Sequence, residues 1–139
     1  MDIYEEALAH IDQFGNGQLL SDHLKNTACL AADFATTLGF KNSGYIAGLL
    51  HDIGKYSNEF QNRLHGGPKV DHSIAGAYLL LKDRHLAEAV AVASHHTGLK
   101  NMGTIVDEPN SFFNRIHNVK LKSIEFEEYG FLQKFEQPN

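Results

Sequence analysis

Cysteine, proline and basic residues are all scarce in this chain, which has one Cys, three Pro and 12 Lys and Arg among 139 residues. A single cysteine, Cys29, rules out an internal disulfide framework, and its setting among alanines and a leucine reads as a small core residue in a reducing compartment. No apolar run is long enough to cross a bilayer. The opening MDIYEEALAH is acidic where a secretory leader would be basic and then apolar. The expected location is therefore the cytoplasm, with no membrane partner. The 12 basic residues face 17 acidic ones, for a formal net charge of -5, which argues against binding nucleic acid through a broad basic face. Contact with nucleic acid would have to be made at a metal site with a few basic residues close by. No polar low-complexity tract, internal repeat or linker interrupts the chain. With 42% apolar residues, it reads as one globular domain over residues 1–139.

The little proline present leaves long stretches free to be helical, and helical periodicity dominates the chain. From about Ser21 to Leu38, Leu24, Ala28, Ala31, Ala35 and Leu38 recur in steps of three and four, a single buried stripe. Ser21 or Asp22 can cap its start and Gly39 its end. A second helix runs from about Ser43 to Ile53 on Ile46, Leu49, Leu50 and Ile53, with Gly54 as its stop. After the polar YSNEFQNRLHGGPK, a third helix carries His72, Ala75, Gly76, Leu79 and Leu80. A fourth spans about Arg84 to His96 on Leu86, Ala89, Val90 and Ala93. Beyond Gly103 the pattern weakens. PNSFFNRIHNV suits a short helix, VKLKSIEF alternates like a strand, and EFEEYGFLQKF suits a final helix. The expected fold is a compact all-α bundle.

Nine histidines punctuate this pattern. His23 shares a helix face with Thr27, Leu30 and Phe34, which reads as inward. His51 and Asp52 end the second helix, His72 opens the third, and His95 and His96 end the fourth. Each alone has an ordinary explanation: a surface pair, a helix N-terminal residue, or imidazoles favouring the C-terminal dipole. Together they bring imidazole from four helices, and one carboxylate, to helix ends or inward faces. Burying such groups without a cation would cost several kcal/mol each. Neutral imidazole and carboxylate without thiolate suit first-row ions such as Mn, Fe, Co, Ni or Zn. Successive helical residues point about 100° apart, so His51 and Asp52 cannot both serve one ion as a helix-face pair would. They can address two adjacent ions, with the carboxylate as bridge. His10, His65, His85 and His117 fall in polar or unpatterned contexts and read as solvated.

The stretches SDHLKNTA, LLHDIGK, DHSIAGAYLL and SHHTGL, together covering about Ser21 to Leu99, resemble the HD phosphohydrolase superfamily. The doubled histidine after HSIAGA is more specifically similar to the HD nucleases of type I CRISPR systems. That resemblance implies one or two divalent ions (Mn, Co, Ni, Fe or Mg). It places His23, His51 and Asp52 on the first, and His72, His95 and His96 on a second that Asp52 bridges. It assigns Asp52 and Lys55 to catalysis, Lys55 at a phosphate or leaving oxygen. It also implies single-stranded DNA as substrate, and a helicase domain or subunit and a guide-RNA surveillance complex as partners. One feature departs from the family: a metal-binding aspartate expected well after His96 has no convincing counterpart, because Asp107 lacks a helical frame. Either the chain is an N-terminal part of a longer nuclease, or it lacks that ligand.

Two ions about 3.5–4 Å apart would make a water nucleophile without a separate general base, consistent with the absence of a serine or cysteine nucleophile arrangement here. Arg63, Lys69 and Lys100 read equally as guides for a phosphate backbone or as solubilising charges. Tyr56 and Phe60 are candidates for base stacking, with Phe60 favoured as core. Two rivals stand beside the nuclease: an HD phosphohydrolase of nucleotides or cyclic nucleotides, and a non-catalytic module whose metals only hold helices together for a binding partner.

Overall fold

A computed structural model describes residues 6–106 and 109–118. A short antiparallel hairpin, β1 (Leu8–Ile11) and β2 (Gly17–Leu19), leads directly into α1 (Leu20–Thr36). There follow α2 (Lys41–Leu50), a tight helical turn (Ile53–Tyr56), α3 (Asn58–Leu64), α4 (Ile74–Lys82), α5 (Leu86–Ser94) and α6 (Phe112–His117). The helices form the expected bundle. No helix among the described residues is long and apolar enough to cross a membrane.

The core is built from the predicted stripes, with a narrower buried face on α1. On α1 the buried residues are Leu20, Leu24, Ala28 and Ala32. Of the rest of the expected stripe, Ala31 and Ala35 are half-buried against Gly44 of the next helix, and Leu38 faces out, as do Leu30 and Phe34. Cys29, one step round the helix from buried Ala28, is exposed and so is not the core residue its neighbours suggested. No side chain caps α1, because it continues straight from β2, with Leu20 N–H donating to the Ala7 carbonyl. Gly39 does leave the helix in a left-handed conformation, φ +77°. Tyr45, Leu49, Leu50 and Ile53 carry the core from α2 into the turn, and Leu79, Leu80, Ala89, Val92, Phe112 and Ile116 complete it. Each fully buried leucine or isoleucine there contributes about 1.5–3 kcal/mol.

Three features of the chain depart from the sequence expectation. The hairpin was not anticipated, since its strands are too short to establish a period. α3 lies within what reads as a polar connection; only Phe60 on it is buried, and the Ser57 hydroxyl caps it by accepting from Phe60 N–H. Gly54 does not stop α2, which ends at Leu50, but sits inside the following turn. A Cβ there would overlap the carbonyl oxygen of His72, and one at Gly76 would overlap the carbonyl of Leu50. These two glycines thus let the end of α2 lie directly against the start of α4. α6 falls within the expected helix PNSFFNRIHNV; the strand-like VKLKSIEF, the final helix EFEEYGFLQKF and Asp107 lie outside the described residues.

Candidate metal centre

The close approach of α2 and α4 brings three helix ends and one helix face together. His51 follows the last residue of α2 and Asp52 precedes the tight turn. His72 lies just before Ser73, the N-cap of α4, rather than within that helix. His95 follows the last residue of α5, with His96 beyond it, and His23 comes from the first turn of α1. All six expected ligands therefore meet.

Asp52 is at the centre and is buried. Its two carboxylate oxygens face different partners. Oδ2 lies 3.2 Å from Nε2 of both His23 and His51. Oδ1 lies 3.2 Å from Nε2 of His95, 3.4 Å from that of His72 and 3.8 Å from that of His96. Within each group the imidazoles also face one another: His23 and His51 Nε2 are 3.2 Å apart, and His72 and His96 Nε2 are 2.9 Å apart. Donor atoms fall into two sets suited to a cation, one of His23, His51 and Asp52 and one of Asp52, His72, His95 and His96.

The chemistry of these contacts suits a positive ion in each set. His51 Nδ1–H donates to the Gly48 carbonyl at 2.6 Å, and His95 Nδ1–H donates to the Val92 carbonyl at 2.6 Å. In the neutral ring this leaves Nε2 as a bare lone pair, pointed at a carboxylate oxygen that is also only an acceptor. Such acceptor-to-acceptor approaches are repulsive until a proton or metal ion joins them. Two ligands about 2.1 Å from a shared ion, at octahedral or tetrahedral angles, stand about 3.0–3.4 Å apart, and the closest spacings here bracket that range. The backbone carbonyls that hold His51 and His95 are the outer partners that fix tautomer and orientation in metal sites. His72 lacks one: its Nδ1 is buried with no hydrogen-bond partner among the described residues, and its ring is placed instead by Phe60, edge-on at 4.9 Å between centroids.

Electrostatics follow the same division. Burial would raise the Asp52 carboxyl, but with the imidazoles protonated, hydrogen bonds from His51, His72, His95 and Lys55 outweigh it and hold the group far below the ordinary carboxylate range. Burial, then the neighbouring His51, lowers His23. Burial, then His95 and His72, lowers His96. His95 is raised: burial pulls it down, but its bonds to Asp52 and to the Val92 carbonyl prevail. Lys55, expected at a phosphate, is buried, with Nζ 2.8 Å from Asp52 Oδ2 and donating to the Ala9 carbonyl at 3.4 Å. Its ammonium fixes the Asp52 carboxylate, and serving a phosphate would require it to leave this pair.

Around the centre, Tyr56 and Phe60 are both buried, so neither offers a face to a base, and Phe60 is core as expected. Arg63, Lys69 and Lys100 are exposed. So are His65 and His117, while His85 is half-buried and pairs with Asp83 and Glu88. His10 is exposed too, but its ring stands against His23, 5.1 Å between centroids at 89°. Sequence reasoning also missed Arg115. It joins Asp71 Oδ2 at 3.1 Å and the Ala93 carbonyl at 3.0 Å, tying the residue before His72 to the segment before His95. Neither residue sits in a periodic pattern, and both act on partners far away in the chain.

The HD domain family model matches residues 20–128, and the chain belongs to that family, whose members are typically metal-dependent phosphohydrolases. No curated protein matches it.

Proposed function

We propose that this HD domain is a two-metal phosphodiesterase that cleaves single-stranded DNA, working with a helicase domain or subunit and a guide-RNA surveillance complex in CRISPR interference. The hydrolytic reading rests above all on the division of the Asp52 carboxylate, one oxygen to each imidazole group. Bound there, a pair of divalent ions supplies Lewis acidity at a phosphoryl oxygen and a water acidic enough to attack near neutral pH. The protein's part is to hold the ligands still. Asp52 couples the two groups, Lys55 balances its charge, and the carbonyls of Gly48 and Val92 keep His51 and His95 aimed inward.

The substrate reading draws on the run HSIAGA followed by SHHTGL and on the openness of one side of the centre. The His96 side chain is exposed to solvent at the edge of the centre, which suits a site that receives a polymer backbone better than one that encloses a nucleotide.

The test is hydrolysis of circular single-stranded DNA and of bis(4-nitrophenyl) phosphate with Mn, Co, Ni or Mg, by the protein and by Asp52→Ala. Cleavage of both by the protein, with turnover by Asp52→Ala lower by at least about a thousandfold, is the expected result; losing the bridge removes the two-ion arrangement. Phosphate release from nucleotides without DNA cleavage would move the assignment to a nucleotide phosphohydrolase. A folded Asp52→Ala protein with every hydrolytic rate unchanged would make the domain a metal-stabilised binding module.

A further inference from the structure

His10 stands out because it lies outside the matched family region and yet beside the centre. Its place is built from several directions. Gln61 clamps the strand, accepting from Leu8 N–H at 3.0 Å and donating to the Leu8 carbonyl at 3.0 Å and the Lys55 carbonyl at 2.7 Å. Lys55 reaches the Ala9 carbonyl from the side of Asp52. Across the hairpin His10 pairs with Gln18. The hairpin's turn is closed by the Asp12 carboxylate, which accepts from Phe14 N–H, Asn16 N–H and the Asn16 side chain at 2.8–2.9 Å. Ala9 is buried in the core, whereas His10 is exposed, and the pairing slips by one residue between Leu8 and His10, an irregularity of the kind that re-aims a side chain. The imidazole is thereby placed edge-on to His23, at the solvent side of the group formed by His23, His51 and Asp52.

His10 does not belong to either set of donor atoms that lie within 4.8 Å of one another. It stands beside the His23 ligand and outside the donor set itself. Among the described residues its ring nitrogens have no hydrogen-bond partner, so its N–H is available to a ligand.

We propose that His10 is a substrate-contacting residue: its imidazole N–H donates to an oxygen of the phosphate group held at the His23, His51 and Asp52 side of the centre. This rests on the phosphodiesterase reading and extends it, making the hairpin part of the site and giving the phosphate a donor that is neither a metal ligand nor Lys55.

The experiment compares wild type, His10→Ala and His10→Gln, each loaded with Mn, by three readouts: metal content, kcat/KM on bis(4-nitrophenyl) phosphate, and affinity for inorganic phosphate by calorimetry. Expected for His10→Ala are an unchanged Mn content, kcat/KM lower by about ten- to a hundredfold and weaker phosphate binding, the worth of one hydrogen bond to a charged group. His10→Gln keeps an N–H donor and regains part of both, which a purely structural role for the ring would not allow. Wild-type kcat/KM and phosphate affinity in His10→Ala overturn the proposal. So does a loss of Mn that higher Mn repairs, since His10 would then be a ligand. If wild type fails to hydrolyse the diester, the phosphodiesterase reading falls on its own, and the phosphate affinities still decide the role of His10.

Discussion

The half of the centre containing His23 and His51 is packed beneath the hairpin and beside the Lys55 ammonium, whereas the half containing His72, His95 and His96 opens outward. The side chains of His23, His51 and His72 are 16–19% exposed and that of His96 is 51% exposed, so the outer half opens at His96, although all aim Nε2 at the same carboxylate. The two halves use the same donor chemistry under different solvent access. In the inner half, lower polarisability strengthens each charge–dipole contact and makes a missing ligand hard to replace. In the outer half water can stand in for a lost imidazole at the exposed His96. The difference points to a division of labour in which the inner half holds its ion tightly, with His10 above it to meet the phosphate, and the outer half exchanges ligands with solvent at His96.

Single-ligand deletions press on that comparison hardest. His51→Ala is expected to lower turnover by about a thousandfold and to empty the inner half. His96→Ala should cost nearer tenfold, because water fills the vacant position. Equal losses in the two variants, measured with metal content, would abolish the distinction.

A smaller effect separates the halves by pH. His95 in the outer half is raised above the ordinary imidazole value, so an ion there competes with a proton that is still bound near pH 6.5. Affinity of the outer half therefore rises as pH climbs through that value and levels off once His95 is neutral. His23 is lowered, so it is already neutral there and adds little pH dependence to the inner half. Asp52, held far below the carboxylate range, stays ionised and takes no part. Calorimetric Mn titrations between pH 5.5 and 7.5 are expected to show the steeper slope in His23→Ala, which keeps the outer half, than in His72→Ala, which keeps the inner.

The smallest effect concerns the outer half's brace. Arg115→Ala breaks the link between Asp71 and the Ala93 carbonyl, and is expected to weaken outer-half Mn binding by about tenfold, as loss of an outer-shell partner does. The global stability change should be at most about 1 kcal/mol, because Asp71 is largely exposed and its ion pair is screened. A larger change in melting than in metal affinity would make Arg115 a fold residue only.

Helix α1 shows what could be read in advance and what could not. Its length and the inward placement of His23 follow from spacing, as does the gathering of the six candidate ligands, because histidines at helix ends stand out against an apolar period. The stripe through Leu24 and Ala28 is buried as read, but the face beside it was read too wide. Leu30 and Phe34 were grouped with His23 as inward, yet Phe34 is 72% exposed, while Ala32 takes the core. Alanines at several phases make the stripe ambiguous, and small residues are what α2 packs against. The hairpin and His10 were not legible for a different reason: their position depends on Gln61 and Lys55, about fifty residues later, which no local pattern announces. Gly54 was read as a helix stop from its type, but its need for no side chain comes from the His72 carbonyl, a tertiary neighbour.

The central claim, that Asp52 bridges two ions, is tested most directly by anomalous diffraction from Mn-loaded crystals. The account expects two peaks about 3.5–4 Å apart, one on the Oδ2 side with His23 and His51 and one on the Oδ1 side with His72, His95 and His96. A single peak, or two peaks that do not share Asp52, would contradict it.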